Sequence, residues 1–225
     1  MSHTLSLADS PSLDDLQVFL ARAARVEGGS VRLIVGSGVL AVYVAVLYPA
    51  ALLDETPTVL GLRTFALTTK DQFDIVVPLA SLQERLSRLQ GAETDRDAPV
   101  AVTLPIEVNT MTWSAISPPR GGWRMLGDAD PARFESAATA GIEEVASAIP
   151  TGTGEQLVRQ VRREVWGRPM VGLEHIPAGG SFAAHTLGFL APDDAVRVYE
   201  TGPWTRLTTR RGHVLIKRPA WSLQR

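Results

Sequence analysis

The chain of 225 residues contains no cysteine. That excludes disulfides, thiolate metal sites and cysteine nucleophiles, and it is the usage expected in a reducing compartment. Lysine is almost as scarce: Lys70 and Lys217 are the only two, so arginine carries the remaining basic charge. Beside abundant alanine, glycine and proline, this is the usage of a GC-rich genome. Arginine excess alone is therefore no sign of phosphate recognition, and only clustering carries weight. The four histidines are scattered, so a metal site would need carboxylates beside them. Residues 1–15 lack a basic stretch followed by an apolar core, so no secretory signal is expected. One uncharged run, Leu33 to Leu53, is long enough to cross a bilayer. Gly36-Ser37-Gly38, the valine enrichment and Pro49 favour two buried strands joined by a tight turn instead. A cytoplasmic protein with no membrane partner and no cofactor is expected.

What is present is the composition of a folded protein, 45% hydrophobic and 20% charged, enough to bury a substantial core. The net charge of −2 hides an asymmetry: a cut after Pro150 leaves 11 basic and 18 acidic residues before it, and 11 basic and 6 acidic after it. A basic C-terminal part points to an anionic partner, either nucleic acid or an acidic protein surface, or to a contact between copies of the chain.

Local patterns divide the chain into elements. Leu13, Leu16, Phe19, Leu20, Ala23 and Val26 recur at helical spacing after Ser12, a cap candidate. Strands are expected over 31–35, 39–47, 59–67 and 73–77. Ser81 and Glu84 have capping-box spacing for a second helix. Residues 100–113 read as strand up to the break at Ser117-Pro118-Pro119-Arg120-Gly121-Gly122-Trp123. Asp130-Pro131 opens a helix that Pro150 stops. Thr153 and Gln156 suggest a capping box for the next, with Leu157, Val158, Val161 and Val165 inward, and a short helix is expected over 181–190. Strands over 196–200, 204–208 and 214–217 complete a terminal ribbon. The expected class is α+β: an N-terminal mixed β-sheet with two helices, followed by helices and a C-terminal β-ribbon in the order of a winged helix. The expected parts are an acidic 1–127 and a basic 128–225, as two domains or one.

No catalytic motif rises above background. The leading expectation is a non-enzymatic binding protein whose contacts are Arg120, Trp123, Trp204, Arg206, Arg210, Arg211, Lys217 and Arg218. The arginines and Lys217 would meet phosphates or carboxylates, and the tryptophans, set beside Gly-Pro and Gly-Gly backbone, would stack or anchor. An equally simple reading makes them a structural hairpin. Two alternatives stay open: an enzyme or ligand-binding protein with a pocket near Glu107, Asn109 and Arg120, completed by Glu174, His175 or His185, and a self-associating protein whose oppositely charged halves meet.

The segments Ile116-Ser-Pro-Pro-Arg-Gly-Gly-Trp123 and Gly202-Pro-Trp-Thr-Arg-Leu-Thr-Thr-Arg-Arg-Gly212 resemble an uncharacterised actinobacterial family, which implies a bacterial protein and no stated activity. From the helix over 13–26 through Val77-Pro78-Leu79 and the helix over 81–90, the order is similar to one half of a sliding-clamp domain, a likeness of fold that carries no function.

Overall fold

The computed structural model describes residues 3–51, 54–90, 95–108, 111–150 and 152–218. The chain forms two compact units: unit 1 comprises Met1–Ala45 and Leu62–Ile116, unit 2 comprises Val46–Gly61 and Ser117–Arg225.

Unit 1 contains β1 (Thr4–Leu7), α1 (Ser10–Val26), β2 (Ser30–Gly36), most of β3 (Val39–Leu47), the second half of β4 (Thr58–Ala66), β5 (Phe73–Pro78), α2 (Leu79–Ser87) and β6 (Val100–Thr103). β2 and β3 form the expected hairpin, with Gly36 opposite Val39. The two residues between them, Ser37 and Gly38, lie at φ 54° and 74°, and a two-residue turn positive at both centres matches the strand twist. β5 pairs with the other edge of β2, and β1 pairs with β6 in a small separate sheet. The alternating Val31, Leu33, Val35 and Leu40, Val42, Val44 are buried, as are the six apolar residues expected on α1. Asp9, not Ser12, caps α1; its carboxylate accepts the Ser12 amide at 2.7 Å. The α2 capping box does not form, because the helix begins directly at Leu79 after Pro78 and leaves Ser81 inside it.

Unit 2 is built on a sheet in the order β4, β12 (Gly212–Lys217), β11 (Trp204–Thr209), β10 (Val196–Thr201), β7 (Arg124–Ala129). With it go α3 (Pro131–Ala148), α4 (Glu155–Gly167), the hairpin of β8 (Pro169–Met170) and β9 (Leu173–Pro177), and α5 (Ala178–Thr186). Asp130 caps α3 through the Ala132 amide, at 2.9 Å. Gly154 starts α4 with no side-chain cap, so the Thr153–Gln156 box is also absent. Close approach explains three glycines. A Cβ on Gly141 would lie 2.3 Å from the Trp166 ring, one on Gly180 2.7 Å from Ile216, and one on Gly212 2.5 Å from Phe189. Trp166 stacks on Phe182 with centroids 4.2 Å apart. It is 2% exposed, the centre of the α3–α4–α5 packing.

This arrangement corrects the expected class. A winged-helix ribbon hangs from the end of a helical unit, whereas β10–β12 are inner strands: β10 pairs with β7 as well as β11, and β12 lies between β11 and β4. Their buried residues Val196, Val198, Leu207, Val214 and Ile216 are sheet core. Residues 100–113 are not one strand either, since only Val100–Thr103 pairs and Thr112–Ala115 is a 3₁₀ turn. Among the described residues no helix is long and apolar enough to cross a membrane.

Candidate functional site

Arg210, Arg211 and Arg218 are tied to their own chain. Arg210 pairs with Asp193 at 2.6 Å and Asp194 at 3.4 Å, and its amide donates to Asp194 at 2.6 Å. The Arg210 hydrogen bond holds the Asp193 carboxyl below the usual carboxylate range. Arg211 donates to the Leu190 carbonyl at 3.3 Å, and Arg218 to the Gly202 carbonyl at 3.2 Å. Lys217 is half-buried, opposite Trp204 in the β11–β12 register. Trp204 is 4% exposed and packs inside.

Arg206 stands apart because it lies between two aromatic rings. Cross-strand pairing sets it opposite Tyr199, and its guanidinium lies 4.5 Å from the Tyr199 ring centroid and 4.6 Å from that of Trp123. Two aromatic faces supply the electrostatic attraction that an acid would give elsewhere. Desolvation lowers the Arg206 pKa, and the Arg206 Nε is buried without a hydrogen-bond partner. The Trp123 indole donates to the Pro119 carbonyl at 3.1 Å, so the 117–123 loop folds back through Trp123 and leaves Arg120 exposed. Along the same strands His213 approaches the Thr208 hydroxyl at 3.0 Å. Burial, then the charges of Arg206 and Arg197, lower its pKa.

The residues expected at a pocket near Glu107 are divided between the two units. Glu107 is an exposed residue of unit 1, Arg120 belongs to unit 2, and Asn109 lies outside the described residues. Glu174 accepts the Gly172 amide at 2.7 Å in the β8–β9 turn, His175 is exposed, and His185 is half-buried at the end of α5. Among the described residues no three His, Asp or Glu side chains are grouped to hold a metal ion.

Two cavities lie in unit 2. One of about 460 Å³ runs between α4 and the segment Asp54–Pro57. Its polar groups serve one another: Asp54 accepts from Ala50, Thr56 and Arg163, and Gln160 donates to Glu164. The other, about 470 Å³, is mostly apolar, between Ala132, Ser136 and Ala137 of α3 and Met170 and Val171 of the β8–β9 hairpin. Val171 at the hairpin tip is 94% exposed. Met125, Leu126, Ile142 and Leu157 are also exposed, between 38% and 49%. Sequence reasoning assigned Leu157 to the interior and missed β7, which carries Met125 and Leu126.

The fold is similar to that of a bacterial DNA polymerase III subunit beta. The structure superposes on a DNA polymerase III subunit beta from Pseudomonas aeruginosa with a TM-score of 0.50 at 12% identity, over 99% of this chain and 65% of that one. A DNA polymerase sliding clamp from Caulobacter crescentus aligns at 10% identity over 100% of this chain and 67% of its own, with a TM-score of 0.49. The chain thus spans less than two thirds of the Pseudomonas subunit. At the level of family, residues 1–105 match a domain of unknown function, DUF8010, and residues 118–221 match a second, DUF8185. Two matches to domains of unknown function agree with the expectation of an uncharacterised protein. Comparison with curated proteins finds no match.

The fold overturns the functional expectation together with the class. A basic terminal ribbon engaging an anion is replaced by the inner strands of a clamp-type sheet, whose arginines are neutralised by Asp193 and Asp194, bound to carbonyls, or stacked on rings. The pocket alternative falls with the same fold finding, its Glu174 being held in the β8–β9 turn by the Gly172 amide, and self-association through opposed charged halves loses the basic ribbon it required.

Proposed function

We propose that this chain is a clamp-fold protein that docks other proteins through unit 2 and does not track DNA. The observation that carries this reading is the set of large apolar side chains that unit 2 leaves in solvent: Met125, Leu126, Ile142, Leu157 and Val171. Five of the eight large apolar side chains exposed among the described residues fall in unit 2, against Val18, Val39 and Ile106 in unit 1, and apolar side chains left in solvent in number are what a covering protein would bury.

Charge supports the same choice. A protein that follows nucleic acid turns surplus cations toward phosphate. Within the helix spans, α1 carries two arginines and two aspartates, α2 one arginine and one glutamate, α3 one arginine against three glutamates, and α4 three arginines against two glutamates. A fluorescence anisotropy titration with labelled duplex and single-stranded DNA at low salt is expected to show no association. Binding that weakens steeply with added salt would overturn the reading.

A further inference from the structure

The cleft between α3 and the β8–β9 hairpin has the dimensions and lining of a small-ligand site. Its volume of about 470 Å³ lies within the range of about 300–1,000 Å³ typical of such sites, and it shares their mostly apolar lining with few polar groups. Small side chains open it. Ala132 and Ser136 stand one turn apart on the same face of α3, with Ala137 beside them, and none of the three reaches far from the helix. From the hairpin, Met170 lines the cleft with an unbranched thioether, which adapts to whatever fills the space beside it. Val171 completes the lining with an apolar side chain that is 94% exposed.

Among the described residues, Arg133 is the one ionisable side chain in this lining. The hairpin turn fixes its guanidinium. Arg133 Nη2 donates to the Val171 carbonyl at 3.1 Å, and Gly172, at φ 72°, leaves room for it, since a Cβ there would lie 2.5 Å from the same nitrogen. That bond uses one of the several N–H donors of the group. The neighbouring acids are held by amides: Asp130 accepts from Ala132 at 2.9 Å and Glu174 from Gly172 at 2.7 Å. The amides of Glu174 itself and of Gly172, with smaller effects of His175 and Arg133, keep the Glu174 carboxyl below the usual carboxylate range. Arg133 thus acts on Glu174 through its field, while its hydrogen bond goes to Val171. Charge selects the occupant. An ammonium would be repelled, and a wholly apolar molecule would leave guanidinium donors facing hydrocarbon at a desolvation cost. A carboxylate instead accepts charge-assisted hydrogen bonds from the arginine fork. We infer that this cleft binds a small monocarboxylic acid with a hydrocarbon body, its carboxylate on Arg133 and its hydrocarbon against Ala132, Ala137, Met170 and Val171. Such a site goes beyond protein docking and is tested with no protein partner present.

An NMR titration of the full chain with octanoate below its micellar range tests it, with octylamine and octanol as controls of the same chain length. The expected result is saturable shifts in the methyl signals of Ala132, Ala137 and Met170, with both controls weaker by about tenfold or more, the worth of a hydrogen bond to a charged group. Arg133→Gln is expected to weaken octanoate by a similar factor. Ala137→Leu fills the cleft and is expected to abolish saturation, while Arg88→Gln, at the end of α2 in unit 1, leaves the titration unchanged. Should a cleft variant unfold, the wild-type shifts decide alone. Shifts that never saturate, or that spread away from α3 and the hairpin, overturn the inference. So does equal affinity for octylamine or octanol, or a folded Arg133→Gln chain that binds octanoate as tightly as wild type.

Discussion

The Asp54 carboxylate accepts a hydrogen bond from the Arg163 guanidinium at 2.8 Å, joining the segment before β4 to the middle of α4 within unit 2. The Asp54 side chain is only 10% exposed, and its oxygens also accept the Ala50 and Thr56 amides at 2.8 and 3.0 Å. Burial pushes its carboxyl up, but a hydrogen bond from the Thr56 hydroxyl, then those amides and Arg163, outweigh burial and hold the pKa below the ordinary 3.8.

Asp54→Asn is therefore expected to cost about 1–3 kcal/mol, because it removes a buried acceptor and leaves the guanidinium less well matched. Urea denaturation would show a lower midpoint with an unchanged slope. The folded pKa lies below the unfolded one, so this stabilisation is present above pH 3.8 and is lost as pH falls through the folded value. The asparagine variant should lose less stability than wild type over that acid range.

Gly141→Ala should destabilise, although alanine is the better helix former. The new methyl would lie 2.3 Å from the Trp166 ring, and overpacking costs about 1–3 kcal/mol where the helix gain is about 1 kcal/mol. A fall in melting temperature accompanied by altered tryptophan fluorescence is the expected result.

His213 gives a second, separate pH dependence. Its pKa is lowered from 6.5, so the folded state keeps the ring neutral. The unfolded chain then takes up the proton first, and this contribution is fully present above pH 6.5 and declines as pH falls toward the folded pKa. His213→Gln should flatten the stability–pH curve just below that value, measured by chemical denaturation at a series of pH values.

Trp123→Leu removes one of the two rings on Arg206 and the indole bond to Pro119. The expected loss is about 1–2 kcal/mol, with faster proteolysis in the 117–123 loop and an unchanged circular dichroism spectrum. Trp123→Phe keeps a ring and should restore most of the loss.

Where physics is local, the sequence was readable. The β2–β3 turn needs two positive φ values, and Ser37-Gly38 supplies them; α1 shows its buried face through spacing alone. Neither proposed capping box formed, because Pro78 and Gly154 start the helices without a side-chain acceptor. β7 left little signal, since an edge strand exposed over Arg124–Leu126 has no buried alternation to read, and its register against β10 shifts between Val198 and Tyr199. The arginine cluster misled for a different reason. Composition counts charges, but Asp193 and Asp194 reach Arg210 only once the strands have paired, and the aromatic faces on Arg206 come from β10 and the 117–123 loop. Glycine carried a signal that spacing did not: Gly141 sits within an otherwise regular helical pattern because a tryptophan occupies the space above it.

The most direct measurement for the docking reading is capture of proteins from an extract of the source organism on the immobilised full chain, with and without nuclease, beside a variant carrying Leu157→Asp and Val171→Asp. The account predicts that the wild-type chain retains the same protein when nucleic acid has been digested and that the double variant loses it. Capture that disappears with nuclease, or that the double variant preserves in full, would contradict it.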